Sequence, residues 1–417
     1  MIDRDIARGD CTHQRDVIYA FKFLLCLRVI TSVAIWMDFA LLFTLLSYEW
    51  RAAPFEVGVT AALYGFPGLV LGPWLRARAD RAHPLKLLRR SYWARAIASI
   101  GLITAPSLLV FMAFVTCQGL ANLVVMPSEQ VLIKRTLNTA WMIRHTRYTT
   151  AADQAAKITA PLISASLAHG FGARLGYLVS ALLVIPATAC LKAMGKLPRL
   201  DRAQALEAPH RPRSVATLRA VLRQHVGYRL AYSAMLLQTV VLGLYDPLLA
   251  LFLRHLGMPI GAFGVIVAAT ACGGVLAAAV MRRLPEFQRT AHTEILLAAF
   301  GTTVLLPGFC AYLDVRLSWA PLVLLWLTNG YCYASTSLRF TVTQQSQCPL
   351  HCLGRVSATA RSSQLAALVS GPLLGSALAS AVGIPATLIA AGGLAIACAL
   401  AFRGRRMLRE RGRPGSG

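Results

Sequence analysis

The sequence predicts an all-α polytopic membrane protein with twelve transmembrane helices, arranged as two six-helix pseudo-repeats. Composition is the first reason, because 56% of the 417 residues are hydrophobic and only 14% are charged, whereas a soluble domain has about 25% charged residues. The second reason is that apolar runs of about 20 residues, enough to cross a bilayer core about 30 Å thick, fill the chain. The third is that Lys and Arg concentrate in alternate connections. A β-barrel would instead show alternating segments of roughly ten residues.

Short turns and longer basic loops alternate between the apolar segments. The predicted spans lie near residues 23–46, 57–75, 91–106, 108–130, 152–170, 172–194, 228–252, 259–281, 293–312, 318–341, 358–380 and 383–402. The longer basic connections are 76–90, 131–151, 195–227, 282–292 and 342–357. The positive-inside rule places these connections, and with them both termini, on the cytoplasmic side of an inner (plasma) membrane.

The Pro- and Arg-rich stretch midway along the chain is interpreted as a solvated linker between two halves. The predicted organisation is a cytoplasmic N-terminal segment 1–22, a six-helix half 23–194, a cytoplasmic linker 195–227, a six-helix half 228–402 and a basic cytoplasmic tail 403–417. Local matches between the halves support a repeat. At an offset of 206 positions, Gly58, Gly68 and Arg76 match Gly264, Gly274 and Arg282, respectively. At an offset of 211 positions, Arg144, Pro161 and Gly172 match Arg355, Pro372 and Gly383.

The net charge of +25 does not indicate a nucleic-acid-binding protein. Most of the basic residues lie in the predicted termini and loops of one side, which orients a membrane protein and does not form a duplex-binding face. The ten cysteines are scattered, mostly inside the apolar segments, so neither a metal site nor a disulfide framework is expected. No phosphate-binding Gly-x-x-x-x-Gly-Lys-Ser/Thr motif occurs, so transport driven by ATP hydrolysis in this chain is not expected. No cofactor is expected.

The basic loop between the second and third predicted spans carries a recognisable pattern. It contains Gly72-Pro73, then Asp80-Arg81 and Lys86. This pattern resembles the corresponding loop of the major facilitator superfamily, and Gly72-Pro73 is similar to its drug and siderophore exporters. Arg76 stands where the superfamily pattern has a glycine. The resemblance implies a gating role for Asp80, Arg81 and Lys86.

Two further motifs carry the same resemblance. Gln118-Gly119 is similar to the Gln-Gly of the fourth-helix antiporter motif, although Val115 occupies the position of that motif's Arg. The segment 353–356, Leu-Gly-Arg-Val, resembles the loop before the eleventh helix and implies a conformational role for Arg355. The implied fold is two six-helix halves that alternate access to a substrate site, and a monomer is expected.

Two carboxylates within the predicted spans are the candidate proton-coupling sites. A charged side chain at bilayer depth costs at least about 2.5–3.5 kcal/mol, so its presence requires a reason. Asp38 lies in the first span and Asp246 in the seventh, and their distances from Gly58 and Gly264 make them nearly repeat-equivalent. A structural pair with Arg28 or another base is the alternative for Asp38, and helix packing or gating is the alternative for Asp246.

Polar and aromatic residues in the spans supply the other candidates. The candidate substrate-cavity residues are Arg28, Trp36, Gln118, Asn122, Tyr245, Trp326 and Tyr331. Snorkelling to headgroups is favoured for Arg28, and aromatic residues in spans more often serve packing. Asp153 and Lys157, one helical turn apart, are interpreted as a structural or gate pair. Arg95 is interpreted as an anchor at the inner interface.

These features favour a secondary active transporter that works by alternating access. Its expected activity is proton-coupled export, as an antiporter, of a small polar or amphipathic metabolite of siderophore-like or drug-like character. Its partners are then a small-molecule substrate, protons and the lipid bilayer. An uptake permease for a small anionic solute is the alternative. An intramembrane lipid-modifying enzyme is disfavoured, because the nine His are dispersed without a paired carboxylate motif.

Overall fold

The computed structural model describes residues 2–72, 83–195, 214–283, 290–315 and 317–411. Within these ranges the backbone is helical apart from short turns. The helices are α1 (Ile2–Thr44), α2 (Pro54–Val70), α3 (Pro84–Thr104), α4 (Leu108–Leu123), α5 (Val125–Thr136), α6 (Thr139–Phe171), α7 (Ala173–Leu182), α8 (Val184–Met194), α9 (Ser214–Gln224), α10 (Val226–Tyr245), α11 (Leu249–His255), α12 (Ala262–Arg283), α13 (Thr290–Tyr312), α14 (Trp319–Gln347), α15 (Leu350–Val382) and α16 (Ile384–Arg411).

The described parts of the predicted membrane spans lie mainly in helical segments. Among the residues described, eight helical stretches are long and apolar enough to cross a membrane. The remaining predicted spans 91–106, 152–170 and 318–341 lie mainly on α3, α6 and α14, and α2 covers the span 57–75 as far as Val70. The chain is therefore an all-α polytopic membrane protein, as the sequence predicts.

Three predicted spans are interrupted, and each interruption lies at a proline. Pro127 and Pro186 occupy the first turns of α5 and α8, so the spans 108–130 and 172–194 are each built from two helices. A 3₁₀ turn at Asp246–Leu248, which contains Pro247, separates α10 from α11. Proline lacks the backbone N–H that would continue the helical ladder, and its ring clashes with the preceding turn.

Two predicted inner loops are largely helical. Residues 131–151 are occupied by the end of α5 and the first turns of α6, and residues 342–357 by α14 and α15. Asn138 begins α6 by accepting a hydrogen bond from the Trp141 N–H at 3.0 Å, which satisfies one free donor of the first turn. The apolar pattern alone identified only the part of each helix that crosses the membrane.

The helices α6 and α15 show the internal repeat most directly. Both contain 33 residues, their first residues are 211 positions apart, and each includes a proline that matches the other at this offset, Pro161 and Pro372. Each ends before a glycine with positive φ, 85° at Gly172 and 89° at Gly383. These backbone angles favour glycine, because a side chain at positive φ is strained.

The described chain divides into two compact units. The first unit contains residues 1–42 and 66–209, and the second contains residues 43–65 and 210–417. Within the second unit, the Tyr48 hydroxyl donates to the Met258 carbonyl at 3.0 Å, and Arg254 donates to the Ser47 carbonyl. The rings of Phe43 and Phe263 also lie 5.8 Å apart. The segment 43–65 therefore packs with the second unit although it comes early in the chain.

Candidate functional site

A buried carboxylate in α1 organises the polar interior of the first unit. Asp38 is 2% exposed. Arg95 of α3 places its Nη2 2.5 Å and its Nε 3.1 Å from Asp38 Oδ2. The Gln118 Nε2 of α4 donates to the same oxygen at 2.8 Å and to the Ser99 hydroxyl at 3.2 Å. We call Asp38, Arg95, Ser99 and Gln118 the Asp38 cluster.

The Asp38 cluster corrects the interpretation of Arg95 as an interface anchor. Arg95 is 5% exposed, and its guanidinium is buried against the Asp38 carboxylate. A buried ion without a partner is very costly, and a nearby opposite charge with further hydrogen bonds offsets this cost. The base that pairs with Asp38 therefore comes from α3, in agreement with the alternative that Asp38 pairs with a base other than Arg28.

A second ionic cluster joins α1 to α5 and α6. Arg28 forms a bidentate pair with Asp153, at 2.7 Å from Nη2 to Oδ2 and 3.1 Å from Nε to Oδ1. Its Nη1 also lies 3.3 Å from Glu129 Oε2. The side chain of Arg28 is only 19% exposed. The expectation that Arg28 snorkels to lipid headgroups is therefore wrong, because two carboxylates hold it inside the unit.

Hydroxyl groups complete this second cluster. The Thr31 and Tyr92 hydroxyls are 2.7 Å apart, and the Tyr92 hydroxyl donates to Glu129 Oε1 at 3.4 Å. The Ser32 hydroxyl donates to Asp153. We call Arg28, Thr31, Ser32, Tyr92, Glu129 and Asp153 the Arg28 cluster. Thr31, Tyr92 and Arg95 also line one small cavity with Ser180 of α7, so the two clusters are neighbours.

Lys157 does not form the expected ion pair with Asp153. Arg28 occupies both oxygens of that carboxylate, so the helical spacing of four residues does not lead to a pair. The Lys157 ammonium instead lies 5.1 Å from the ring centroid of Trp36, a cation–π arrangement. Within the described ranges, no carboxylate lies within ion-pair distance of this half-buried ammonium.

The charges of the two clusters and Lys157 balance. Three bases, Arg28, Arg95 and Lys157, accompany three acids, Asp38, Glu129 and Asp153. The balance is uneven in space, because Arg28 contacts two carboxylates while Lys157 has no described carboxylate within ion-pair distance. Among these three bases, Lys157 therefore interacts with Asp153 only at longer range.

The second unit contains a neutral counterpart of the Asp38 cluster. The Tyr245 hydroxyl donates to Asn329 Oδ1 at 3.1 Å, and the Asn329 Nδ2 donates to the Thr303 hydroxyl at 2.9 Å. Tyr245 follows Asp38 by 207 positions, Asn329 follows Gln118 by 211, and Thr303 follows Arg95 by 208. These separations are close to the repeat offsets of 206 and 211. Gly119 follows Gln118 as Gly330 follows Asn329. The same positions thus carry an ion pair in one half and neutral hydrogen bonds in the other.

Asp246 differs from Asp38 in position and in surroundings. Asp246 follows Asp38 by 208 positions and lies at the start of the 3₁₀ turn, whereas its neighbour Tyr245 makes the hydrogen bond to Asn329. Asp246 is partly exposed and forms no ion pair with any described residue. Near-equivalence in the sequence therefore does not become an equivalent contact in the fold.

The other predicted residues are placed as follows. Trp326 is 2% exposed and belongs to the core of the second unit, so it does not line an open cavity. Asn122 lies one turn after Gln118 and is partly exposed, as is Tyr331 of α14. Lys86 is exposed at the start of α3. Asp80, Arg81 and the side chain of Arg355 lie outside the described residues.

Sequence reasoning did not identify eight residues of these clusters as site residues. They are Thr31, Ser32, Tyr92, Arg95, Ser99, Glu129, Thr303 and Asn329. The spacing of Arg95 and Ser99, four residues apart on one helical face, was a usable signal. For the others no local pattern exists, because their side-chain partners are 26 to 121 positions away.

The all-helical fold and its eight long apolar helical stretches among the described residues define a multi-pass membrane protein. A family model described as Major Facilitator Superfamily matches residues 24–364. The chain therefore belongs to the Major Facilitator Superfamily, and it is a transporter rather than an enzyme.

Comparisons with individual proteins agree with this family. The chain is 22% identical to the MFS-type transporter YfiS of Bacillus subtilis (strain 168) over 385 residues, 89% of this chain and 90% of that protein. Its fold is similar to that of the nucleoside transporter NupG, with a TM-score of 0.69 and 12% identity, covering 92% of this chain and 98% of NupG. A bacterial homologue of the human lysosomal transporter Spinster gives a TM-score of 0.68 at 14% identity, covering 95% of this chain and 99% of that one.

Proposed function

We propose that this transporter couples export of a small polar or amphipathic metabolite to proton entry, with Asp38 as the proton-carrying group. The supporting observation is the Asp38 cluster, in which a carboxylate at membrane depth is paired with Arg95 through a single oxygen. Asp38 Oδ1 receives no hydrogen bond from the described residues. Ser180 interacts with the same carboxylate, and a proton can bind at Oδ1 without displacing Arg95 or Gln118 from Oδ2.

Protonation of Asp38 changes the energy of the whole cluster. Removing one charge of a buried pair leaves the other uncompensated, which costs about 3–5 kcal/mol. In the protonated state, Arg95 must find another acceptor or another position, and either change favours a different arrangement of α1 and α3. Proton binding and conformational change are linked by this requirement.

The substrate class follows from Lys157 and Trp36. An ammonium with no described carboxylate at ion-pair distance, next to an indole ring, favours a ligand with an anionic group and a flat or apolar part. A siderophore-like or drug-like metabolite with a carboxylate has this character. Arg28 is a poorer candidate for the same role, because Asp153 and Glu129 already neutralise it.

The remaining parts of the proposal rest on the sequence pattern. The basic loops favour cytoplasmic termini in an inner membrane, and the loop resemblance favours export by a monomer. Asp80, Arg81, Lys86 and Arg355 are proposed as residues that change partners during gating. An uptake permease for a small anion remains the second candidate, because Lys157 would serve an anion moving in either direction.

Transport in everted membrane vesicles tests the coupling site. We expect an imposed pH gradient to drive accumulation of carboxylate-bearing substrates, and D38N to abolish the gradient dependence. Asp314→Asn is the matched control, because Asp314 is an exposed turn residue with φ of 55°, which asparagine tolerates. Loss of coupling in D246N with full coupling in D38N would reassign the site to Asp246. Gradient-driven uptake of substrate by intact cells would contradict export and would favour the uptake permease.

A further inference from the structure

Two thiols meet on the first unit at a face that the proposed transport site does not use. The Cys190 Sγ of α8 lies 3.6 Å from the Cys26 Sγ of α1, although the residues are 164 positions apart. Both cysteines are free. Cys26 precedes Arg28 by two residues, which is about 200° around a helix, so the thiol lies on the side of α1 opposite the Arg28 cluster.

A small reagent can reach this pair of thiols. Cys26 is exposed and Cys190 is partly exposed. Both lie in apolar spans, Val17–Glu49 and Ala173–Met194, and Cys190 packs against the apolar core that joins α1, α3, α5 and α8. An uncharged, lipid-soluble reagent therefore fits these surroundings better than an ion that carries a hydration shell.

We propose that Cys26 and Cys190 form a bidentate dithiol site for trivalent arsenicals. Sulfur ligands prefer soft acceptors, and two thiols a few ångströms apart on different helices can both bond to one arsenic atom. Each thiol displaces one hydroxyl of an arsonous acid, so two As–S bonds replace two As–O bonds. The thiol protons leave with the hydroxyls as two waters, and the arsenic stays trivalent, so no oxidant is required.

Bidentate binding has a property that binding to one thiol lacks. The second As–S bond forms within a complex that already exists, so its effective concentration is high. A monothiol competes poorly with such a chelate, whereas a small dithiol competes well. The ring closed through the arsenic also links residues 164 positions apart, which restricts the unfolded chain as a disulfide does.

Phenylarsine oxide tests the proposal on the purified full-length protein. We expect one arsenical per chain to remain after a wash with excess 2-mercaptoethanol and to leave after 2,3-dimercaptopropanol. Maleimide titration should then show two fewer reactive thiols per bound arsenical, and the melting temperature should rise. Intact mass should show the phenylarsenic adduct with loss of both thiol hydrogens.

Single substitutions provide the controls. C26S and C190S should each lose the monothiol-resistant adduct completely while remaining monodisperse. C117S and C272S, at exposed single cysteines, should retain it, as should C348S/C352S at a buried pair. Persistence of the resistant adduct in C26S or C190S would overturn the proposal, as would complete reversal by monothiol in the wild-type protein. None of these readouts depends on transport, so failure here leaves the proposed coupling site untouched.

Discussion

Asp38 and Arg95 show how individual residues decide the character of the first unit. Each is at most 5% exposed, and each supplies the charge that the other needs. Their contact joins positions 57 apart in the sequence. The functional assignment of Asp38 therefore depends on a base that local sequence does not connect with it.

The first prediction concerns the energetic coupling of Asp38 and Arg95. R95Q should lower stability by about 3–5 kcal/mol, because it leaves the Asp38 carboxylate buried without a counter-charge. D38N/R95Q should recover most of this loss, since two neutral amides can bond to each other. Denaturant or thermal unfolding of the four proteins in one detergent gives the double-mutant cycle. Additive effects of the two substitutions would contradict the assigned pair.

His145 carries the second prediction, on pH dependence. Its side chain is 3% exposed, precedes the predicted span 152–170 and contacts the Phe21 ring edge-on at a centroid distance of 5.9 Å. Burial lowers the pKa of His145 below its ordinary value of 6.5, and the hydrogen bond with the Leu24 backbone opposes this shift only in part.

A group with a lowered pKa in the folded state binds protons more readily in the unfolded chain. Stability therefore falls as the pH drops below about 6.5. The melting temperature of the wild-type protein should fall more than that of H145Q between pH 7.5 and pH 5. The carboxylates of both clusters also titrate, so the comparison with H145Q isolates the His145 contribution. If the melting temperatures of the wild-type protein and H145Q changed with pH in parallel, a contribution of His145 to the pH dependence would be excluded.

At the scale of elements, α1 presents two polar faces to different neighbours. Asp38 follows Thr31 by seven residues, and this face meets α3 and α4. Arg28, Ser32 and Trp36 repeat every four residues, and this face meets α6. Spacings of four and seven both return to nearly the same side of a helix. One helix therefore carries the proposed coupling site and the proposed substrate contact together.

Adjacent glycines in α12 give the third prediction. A Cβ at Gly273 would lie 2.7 Å from the Tyr331 nitrogen and 2.9 Å from the Leu327 carbonyl carbon, where backbone atoms of α14 leave no room. A Cβ at Gly274 would meet only the Ala334 Cβ, at 3.6 Å. The two positions therefore differ in space while sharing one helix.

G273A should destabilise the protein by about 1–3 kcal/mol through overpacking. G274A should be neutral or stabilising by up to about 1 kcal/mol, because alanine is the better helix former. Thermal unfolding of the two variants side by side provides the measurement. Equal melting temperatures would show that α12 and α14 separate easily, contrary to the close helix packing described.

At the scale of the whole molecule, the two halves use matching positions for different chemistry. The first unit places an ion pair where the second unit places Tyr245, Thr303 and Asn329. A neutral hydrogen-bonded cluster has no group that changes charge near neutral pH. At these positions the repeat therefore retains hydrogen bonds in both halves, while the buried ion pair occurs in the first half.

This asymmetry gives the fourth prediction. N329L should cost about 1–3 kcal/mol of stability, because the Tyr245 and Thr303 hydroxyls lose a buried partner. The pH profile of the remaining transport should stay unchanged, whereas D38N should flatten it. Vesicle flux measured from pH 5.5 to pH 8 compares the two variants. A shifted profile in N329L would mean that both halves take part in proton coupling.

The sequence by itself determined the helical membrane fold, the approximate positions of the spans and the two-fold repeat. These features depend on local hydrophobicity, on the placement of Lys and Arg, and on residues such as Pro161 and Gly172 that act on their own backbone. The same reasoning also selected Asp38, because a carboxylate inside an apolar run is costly wherever it points.

Tertiary structure alone decided which charges meet. It paired Asp38 with Arg95, gave Asp153 to Arg28 and left Lys157 beside Trp36. It also brought together the Cys26 and Cys190 thiols, 164 positions apart. The physical reason is that an ion pair or a thiol contact needs a few ångströms of separation between side chains on different helices. That separation is fixed by helix rotation and packing, which the hydrophobic pattern of one segment does not specify.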